Sequence, residues 1–413
     1  MAAVSQPLPI RRNTALLSAA MGLNSAVFQL VASVSSLTFV LVTGIEGLLG
    51  LGPAIFMLSS AAGSLVSGRA MDRVGRVPVL AAGFGVTSLG SALTALGAAT
   101  ESWLAVVPGF ALIGMGAGTV ALSRAAAGDM YPPERRARGI AWVLFGAVFG
   151  AILGPALFSP IFANRELEAA ALVVPWLVSS GIALLGIAVV LCVRPDPKRI
   201  AELLAPPRPE GEAVAPAAPL REILRRPGVV PALIAGLASF AVMVSVMNLT
   251  GYVVVEHRHH AQHLIFPIIG AHVVGMYGLV PVVGTLIDRI GRAPALAGGL
   301  VVIAVSCAGL EWGESVWATG VLLFGLGLGW NVSYVAATAQ LVDLSAPSER
   351  GKLLGFGDMS GSLLGAAFVL LGGYALGELG VYALAFGAAV AALVPVVVLV
   401  TRPGTPRVTT EAA

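Results

Sequence analysis

The sequence predicts an all-α membrane protein with about twelve transmembrane helices, and three observations carry this prediction. The chain has 413 residues, of which 57% are hydrophobic and only 11% charged, with a mean hydropathy of +0.92. Soluble domains carry about 25% charged residues, so a core this apolar would lack polar surface to cover it. Apolar runs of about 20 residues, enough to cross a bilayer core, recur throughout the chain. Such continuous runs exclude the alternating pattern of a membrane β-barrel.

Twelve transmembrane spans are expected, named span 1 to span 12 in chain order. They cover residues 14–42, 48–68, 78–99, 103–126, 139–161, 169–193, 228–254, 264–286, 294–311, 315–340, 353–375 and 380–401. Arg11 and Arg12 precede the first run, which we expect to be a retained helix and not a cleaved signal peptide. The proline-rich linker after span 6 is expected to be a flexible join. Within it, residues 220–226 are expected to form either a short amphipathic helix or plain disordered chain.

The connectors between spans alternate in charge, which defines a basic side and an acidic side of the membrane. The basic side carries Arg69, Arg73, Arg76, Arg135, Arg136, Arg138, Arg289, Arg292, Arg350 and Lys352. The acidic side carries Glu46, Glu101, Glu166, Glu168, Glu256, Glu311, Glu314 and Glu378. By the positive-inside rule the basic side is cytoplasmic, and an even number of spans places both termini there. Charge arranged in this way argues against a nucleic-acid partner, although the net charge is +3.

A short charged block occurs twice and indicates an internal duplication. Gly68-Arg69-Ala70-Met71-Asp72-Arg73-Val74-Gly75-Arg76 is repeated as Gly284-Thr285-Leu286-Ile287-Asp288-Arg289-Ile290-Gly291-Arg292, with the glycines, the aspartate and two arginines in register. The sequence therefore predicts an N-terminal six-helix bundle over residues 1–193, a cytoplasmic linker over 194–227, and a C-terminal six-helix bundle with a short tail over 228–413.

The repeated block resembles the signature Gly-x-x-x-Asp-Arg-x-Gly-Arg of the major facilitator superfamily, and the resemblance covers essentially the whole chain. It implies two bundles around a central cavity, with transport by alternating access. It also implies a cytoplasmic gate, in which Asp72 contacts the start of span 11 near Gly351–Leu354 while Arg76 pairs with Asp129. The gate residues of both halves would be Gly68, Asp72, Arg73, Gly75, Arg76, Asp129, Gly284, Asp288, Arg289, Gly291, Arg292 and Asp343. The alternative is that these charges only determine loop topology.

Span 5 carries a second pattern, Gly150-Ala151-Ile152-Leu153-Gly154-Pro155. It resembles the Gly-x-x-x-Gly-Pro motif of drug:proton exporters in the superfamily, which favours export. Ala156-Leu157 departs from the motif, and glycines at this spacing also serve close helix packing. A further departure lies in span 4, where Phe110 stands at the position of an arginine in many such exporters.

Two charged residues inside predicted spans are candidates for coupling. Asp358 in span 11 is the candidate proton carrier, because carboxylates at membrane depth are costly and desolvation favours their neutral form. The alternative for Asp358 is a permanent ion pair, for which Arg124 in span 4 is the candidate partner. Arg124 could instead extend to the membrane interface or bind an anionic group.

Polar residues in the helices that line the cavity of this superfamily are candidates for contact with substrate. They are Asn24, Gln29, Arg124, Asn248, Asn331, Tyr334 and Gln340, and His272 in span 8 is a separate candidate for lining the path. Each of them could instead only hydrogen bond a neighbouring helix.

The connector after span 7 holds four of the five histidines. His257, His259, His260 and His263 could bind Zn²⁺ or sense external pH, or could belong to a solvated loop. Cys192 and Cys307 lie in apolar runs and are read as small core residues, not a disulfide.

The sequence thus predicts a secondary transporter of the inner (plasma) membrane, not an enzyme, and no cofactor is expected. We expect proton-coupled export of a small amphipathic or hydrophobic compound by a monomer. An importer or facilitator of a metabolite and a metal-linked carrier are the alternatives. The chain has no Walker loop, so it is not expected to use ATP directly.

Overall fold

The computed structural model describes residues 8–132, 136–162, 168–204, 218–345 and 347–401. All regular secondary structure in these ranges is helical. Ten of the described segments are long and apolar enough to cross a membrane, and Val381–Val397 forms a shorter apolar helix. The prediction of an all-α membrane fold is confirmed.

The first half contributes spans 1 to 6. Their bounds are Ile10–Thr43, Leu51–Val74, Arg76–Ala99, Trp103–Ala121 followed by Ser123–Asp129, Arg136–Phe162, and Val173–Leu191. Span 4 breaks at Leu122, which separates its two helices. Gly75 has φ = 104°, a left-handed value that only glycine adopts without strain, and it turns the chain from span 2 into span 3 in a single residue.

The second half contributes spans 7 to 12. Their bounds are Val229–Tyr252, Ile265–Tyr277 followed by Val280–Ile290, Arg292–Gly309, Val316–Asp343, Pro347–Leu379, and Val381–Thr401. Gly291 has φ = 91° and makes the same one-residue turn as Gly75. The duplication seen in the sequence is therefore repeated in the backbone.

The linker contains more regular structure than a flexible join. Pro197–Leu204 and Leu220–Leu224 are short helices. Pro197 is compatible with a helix because it stands in the first turn, where its missing N–H would have no partner. The second helix agrees with the amphipathic segment expected at residues 220–226.

Helix packing follows the same plan in both halves. In the first half span 1 packs on span 5, span 2 on span 4, and span 3 on spans 4 and 6. In the second half the corresponding pairs are 7 with 11, 8 with 10, and 9 with 10 and 12. The halves meet through spans 2 and 11, 5 and 8, and 1 and 7. The bundle boundaries at 193 and 228 stay a prediction.

Spans 2 and 11 are in contact near the acidic side and separate toward the basic side. A Cβ on Gly50 would lie 2.3 Å from the carbonyl oxygen of Val369, and a Cβ on Gly365 would lie 3.8 Å from Met57 Sδ. Farther along the same two antiparallel helices, a Cβ on Gly68 or Gly355 would meet nothing described within 4 Å. The interface between the halves is therefore closed on the acidic side and open on the basic side.

Candidate functional site

An ion pair between the two halves lies at the open end of this interface. Arg124 Nη2 on span 4 is 3.5 Å from Asp358 Oδ2 on span 11. Their side chains are 41% and 51% exposed, although both helices are membrane spans. Both charges are therefore only partly covered by protein, and the role of Asp358 as a proton carrier stays a prediction. The structure thus shows Arg124 and Asp358 as an ion pair, which was the alternative stated for both residues.

Local structure explains why these two side chains face each other. Arg124 is the second residue of the short helix that follows the break in span 4 at Leu122. Asp358 lies on a glycine-rich stretch of span 11, between Gly357 and Gly361. Since glycine has no side chain, the surroundings of the carboxylate stay open.

An aromatic cluster adjoins the carboxylate. Tyr334 Oη donates a hydrogen bond of 3.1 Å to the other oxygen of Asp358. The Tyr334 ring stacks on Trp330, with a centroid separation of 4.9 Å and an interplanar angle of 18°. Trp330 in turn meets Tyr277 of span 8 edge-on at 5.9 Å, and its buried Nε1 has no hydrogen-bond partner among the described residues. The site thus combines two opposite charges with aromatic surface and a buried N–H donor.

The two arginine–aspartate pairs expected in the gate are both present in the structure. Arg76 Nε lies 2.8 Å from Asp129 Oδ2, with side chains 16% and 30% exposed. Arg292 Nε lies 3.4 Å from Asp343 Oδ2, with side chains 33% and 58% exposed. Each pair joins two spans of one half, and neither bridges the halves. The expectation that these pairs hold the cytoplasmic ends together when the carrier opens outward stays a prediction.

Other predicted gate residues occupy the same two turns. Arg73 and Arg289 are exposed, and Gly68 and Gly284 face open space. The side chains of Asp72 and Asp288 lie outside the described part of the structure. The same holds for the side chain of Lys352 and for the surroundings of Gly351, at the start of span 11. The expected contact of Asp72 with span 11 consequently stays a prediction.

Several polar residues expected in the cavity are buried and bonded to nearby helices. Gln29 Nε2 donates to the carbonyl of Ala151 at 3.4 Å, and Gln340 Nε2 donates to the carbonyl of Gly228 at 3.3 Å. Asn248 Nδ2 donates within its own helix. His272 Nδ1 is 2.8 Å from the carbonyl oxygen of Leu323, so this imidazole joins spans 8 and 10.

Unpartnered polar atoms remain at the same depth. Among the described residues, no hydrogen-bond partner is present for Asn24 Oδ1, Gln29 Oε1, His272 Nε2, both amide atoms of Asn331, and Gln340 Oε1. A buried polar group without a hydrogen bond is costly, so these atoms are available to a ligand or to water. Of the residues expected to contact substrate, Arg124 and Tyr334 are the ones that the structure brings to Asp358.

The glycine motif of span 5 lies in a tight helix contact. A Cβ on Gly150 would lie 2.4 Å from the carbonyl oxygen of Gly22, and one on Gly154 would lie 2.9 Å from Gln29 Cβ. Pro155 faces span 8, where a Cβ on Gly270 would lie 3.1 Å from its ring. These contacts favour the packing interpretation of the motif. Phe110, at the departure in span 4, packs between Phe39 and Trp176.

The histidine connector does not assemble a metal site. No group of three or more His, Cys, Asp or Glu side chains within the described ranges is arranged to hold a metal. His260 Nε2 instead lies 2.7 Å from the carbonyl oxygen of Glu314. Arg258 bonds Thr319 Oγ1 at 2.6 Å and the carbonyls of Leu310 and Gly313, and its burial lowers the pKa of the guanidinium. The connector is thus tied to the turn between spans 9 and 10.

Two contacts on the basic side involve residues that the sequence analysis did not single out. Asp196 Oδ2 accepts a 2.8 Å hydrogen bond from the backbone N–H of Val77, and Oδ1 accepts from those of Arg76 and Lys198 at 3.1 and 2.8 Å. Arg226 binds Glu349 through two hydrogen bonds of 2.6 and 2.9 Å, which raise the pKa of Arg226. The proline-flanked Pro195-Asp196-Pro197 segment indicates a turn, but it does not identify the helix that the aspartate caps.

The fold is a helical bundle in two halves, and its sequence matches that of a known protein family. The family model described as Major Facilitator Superfamily matches residues 14–280 and 261–413. The chain belongs to the Major Facilitator Superfamily. The predicted family is confirmed. The chain is therefore a membrane transporter of a small-molecule substrate, and transport of this kind is not an enzymatic activity.

Two relatives in this superfamily match over most of their length. The chain is 31% identical over 369 residues to the riboflavin transporter RfnT of Brucella anthropi, covering 87% of this chain and 88% of the relative. It is 30% identical over 337 residues to the uncharacterized MFS-type transporter YdeG of Bacillus subtilis, covering 80% and 77%.

Solved structures of other superfamily members share the fold. The xylose transporter XylE from E. coli, in a partially occluded inward-open conformation, has a TM-score of 0.70 at 15% identity, covering 96% of this chain and all of XylE. A POT family transporter bound to a thioalcohol-conjugated peptide has a TM-score of 0.72 at 13% identity, covering 94% and 96%. At these identities the likeness extends to the fold alone.

Proposed function

We propose that this chain is a proton-coupled transporter of small amphipathic organic compounds, working in the direction of export. The observation that carries the proposal is the Arg124–Asp358 pair between the halves, with both side chains about half exposed. Two opposite charges in open space can exchange partners, whereas a fully buried pair could not do so without a large desolvation penalty.

The chemistry of the pair suggests how protons and substrate compete. When Asp358 is ionised, Arg124 and Tyr334 both hold its carboxylate. A proton on Asp358 removes that negative charge and releases Arg124, so the halves lose a contact that joins them. Substrate and proton then bind in turn to one site, as exchange transport requires.

The membrane arrangement follows from the charge pattern. The basic side is assigned to the cytoplasm of a plasma membrane, with both termini on that side. The two bundles, 1–193 and 228–413, move against each other around the pair, and a monomer suffices for this. In the present conformation a compound would reach the site from the cytoplasm.

A second candidate, uptake or facilitated transport of a flavin-like metabolite, is favoured by a specific observation. The relative RfnT is described as a riboflavin transporter, and it matches nearly the whole chain. The stacked Tyr334 and Trp330 rings beside Asp358 suit a planar ring system, since aromatic surfaces bind such ligands by offset stacking. A facilitator of this kind would not need Asp358 to take up protons.

Transport into vesicles under an imposed pH gradient separates the candidates. The probes are riboflavin and the lipophilic dye ethidium, and the variants are wild type, Asp358→Asn and, as a control for charge loss outside the site, Glu378→Gln. Export coupling predicts gradient-driven ethidium transport that Asp358→Asn abolishes and Glu378→Gln retains. Equal gradient-driven transport by wild type and Asp358→Asn would overturn proton coupling, and gradient-independent riboflavin movement would favour the second candidate.

A further inference from the structure

A groove on the basic side lies where the linker meets the first half. It has a volume of about 550 Å³ and lies between the turn joining spans 2 and 3, the end of span 6 and the linker helix Pro197–Leu204. Its position is distinct from the Arg124–Asp358 site, because the residues that line it belong to the end of span 2, the start of span 3, the end of span 6 and the linker.

The groove carries an excess of positive charge. Arg73, Arg194, Lys198 and Arg199 line it, together with the carboxylates of Asp196 and Glu202. Asp196 is already engaged, since both its oxygens accept backbone N–H groups. Within the described ranges, no ion pair joins Arg73, Arg194 or Arg199 to a carboxylate. The groove lining that the structure describes thus carries four cations against two carboxylates, and an anion is the complementary ligand of this positive excess.

The linker holds these cations in place. Arg12 Nη2 donates to the carbonyl of Arg194 at 2.6 Å, and Asn13 Nδ2 donates to that of Pro195 at 3.2 Å. Lys198 Nζ donates to the carbonyl of Arg73 at 3.4 Å. These contacts attach the linker helix to spans 1 and 2, so the groove is formed by three anchored segments.

One wall of the groove is apolar and exposed. Val74 and Leu191 line it and are 64% and 47% exposed. On the same linker helix Leu203 is 62% exposed, beside the charged Lys198 and Arg199. A helix with basic and apolar faces at the end of membrane spans lies in the headgroup region of a bilayer. The groove thus presents cations at headgroup level and apolar surface toward the acyl chains.

We propose that this groove binds an anionic phospholipid. Arg73, Arg194 and Arg199 hold the phosphate, while Val74 and Leu191 contact the first part of an acyl chain. Basic pockets beside membrane helices are suited to such headgroups, because the anionic leaflet and the cations attract each other and the apolar wall favours a lipid over a free anion. The proposal does not depend on which compound the protein transports.

Lipid titration of the purified full chain in detergent tests the proposal. The probes are phosphatidylglycerol, phosphatidylcholine and inorganic phosphate, with the thermal unfolding midpoint and native mass spectrometry of bound lipid as the readouts. The test variant is Arg194→Gln/Arg199→Gln, and Arg194→Lys/Arg199→Lys retains the charge. The matched control is Arg221→Gln/Arg225→Gln, which removes two exposed arginines from the linker outside the groove.

The expected result is that phosphatidylglycerol binds and raises the midpoint, with apparent affinity about tenfold or more weaker in the glutamine variant of the groove. The lysine variant and the control should bind nearly as wild type does. If phosphatidylcholine stabilises equally, if inorganic phosphate gives the same shift, or if the two glutamine variants bind alike, the proposal is overturned. Native mass spectrometry of a variant with lowered stability still reports bound lipid, so a folding defect does not obscure the outcome.

Discussion

Arg124 and Asp358 are 234 positions apart in the chain and form an ion pair, 3.5 Å between Nη2 and Oδ2, that joins the two halves of the protein. The pair lies at the open end of an interface that is closed at its other end by contacts such as that of Gly50 with Val369. Its exposure means that the pair contributes little to stability, about 1 kcal/mol or less. Its importance is therefore expected to be in transport.

Removal of the tyrosine hydroxyl from this site should weaken transport moderately. Tyr334→Phe keeps the ring that stacks on Trp330 and deletes only the 3.1 Å hydrogen bond to Asp358. Loss of one hydrogen bond to a charged group in a half-exposed site should lower the transport rate about three- to tenfold. Initial transport rates in vesicles measure the effect. The matched control is Tyr382→Phe, which makes the same change at an exposed tyrosine of span 12. Unchanged transport in Tyr334→Phe would remove the hydroxyl from the mechanism.

Much of this architecture could be predicted from the sequence, because long apolar runs and a repeated charged turn are local signals. The pair Arg76–Asp129 was expected only through the resemblance of the charged block to the superfamily signature. The cap that Asp196 provides was not predictable, because a hydrogen bond across 120 positions leaves no periodic trace. The break of span 8 between Tyr277 and Val280 was missed for another reason, as the apolar run continues through it.

The repeated arginine–aspartate pairs should differ in strength. Arg76–Asp129 is shorter and less exposed than Arg292–Asp343, at 2.8 against 3.4 Å. A double-mutant cycle with Arg→Gln and Asp→Asn should give a coupling of about 1–2 kcal/mol for the first pair and below about 1 kcal/mol for the second. The measurement is unfolding in detergent under conditions where it is reversible. Because the pairs occupy equivalent places in the two halves, each is the control for the other, and equal couplings would contradict the argument from burial.

Spans 2 and 11 should approach each other on the basic side when the protein changes conformation. Spin labels at Gly68→Cys and Gly355→Cys, in a Cys192→Ser background that removes the exposed native thiol, report this distance. Double electron–electron resonance should give a long distance that matches the present structure and a shorter one that becomes populated when pH or substrate shifts the equilibrium.

Labels on the acidic side provide the reciprocal measurement. Glu46→Cys and Glu378→Cys lie at the exposed acidic ends of the same interface. Alternating access requires their separation to increase under the conditions that shorten the distance between positions 68 and 355. If both distances shortened together, or if neither responded, rigid rocking of the two halves would be wrong.

The side chain of Asp196 should stabilise span 3 from outside that helix. It accepts the backbone N–H groups of Arg76 and Val77, which have no partner within the helix, and a carboxylate is favoured near a helix N-terminus. A Cβ on Gly75 would lie 2.8 Å from Asp196 Oδ2, so the one-residue turn and the cap depend on each other. Asp196→Ala should therefore lower the free energy of unfolding by about 1–2 kcal/mol and speed the exchange of the amide hydrogens of Arg76, Val77 and Val79.

The control for this prediction is Glu202→Ala, which removes the same charge from the same linker helix. Glu202 is exposed, and within the described structure its carboxylate accepts no hydrogen bond from a backbone N–H. Its replacement should leave both the unfolding midpoint and exchange at 76–79 unchanged. If both variants lowered the midpoint equally, the effect would come from net charge on the linker. If only Asp196→Ala lowered the unfolding midpoint, and amide exchange became faster only at the start of span 3, the result would identify a cap contributed by the linker.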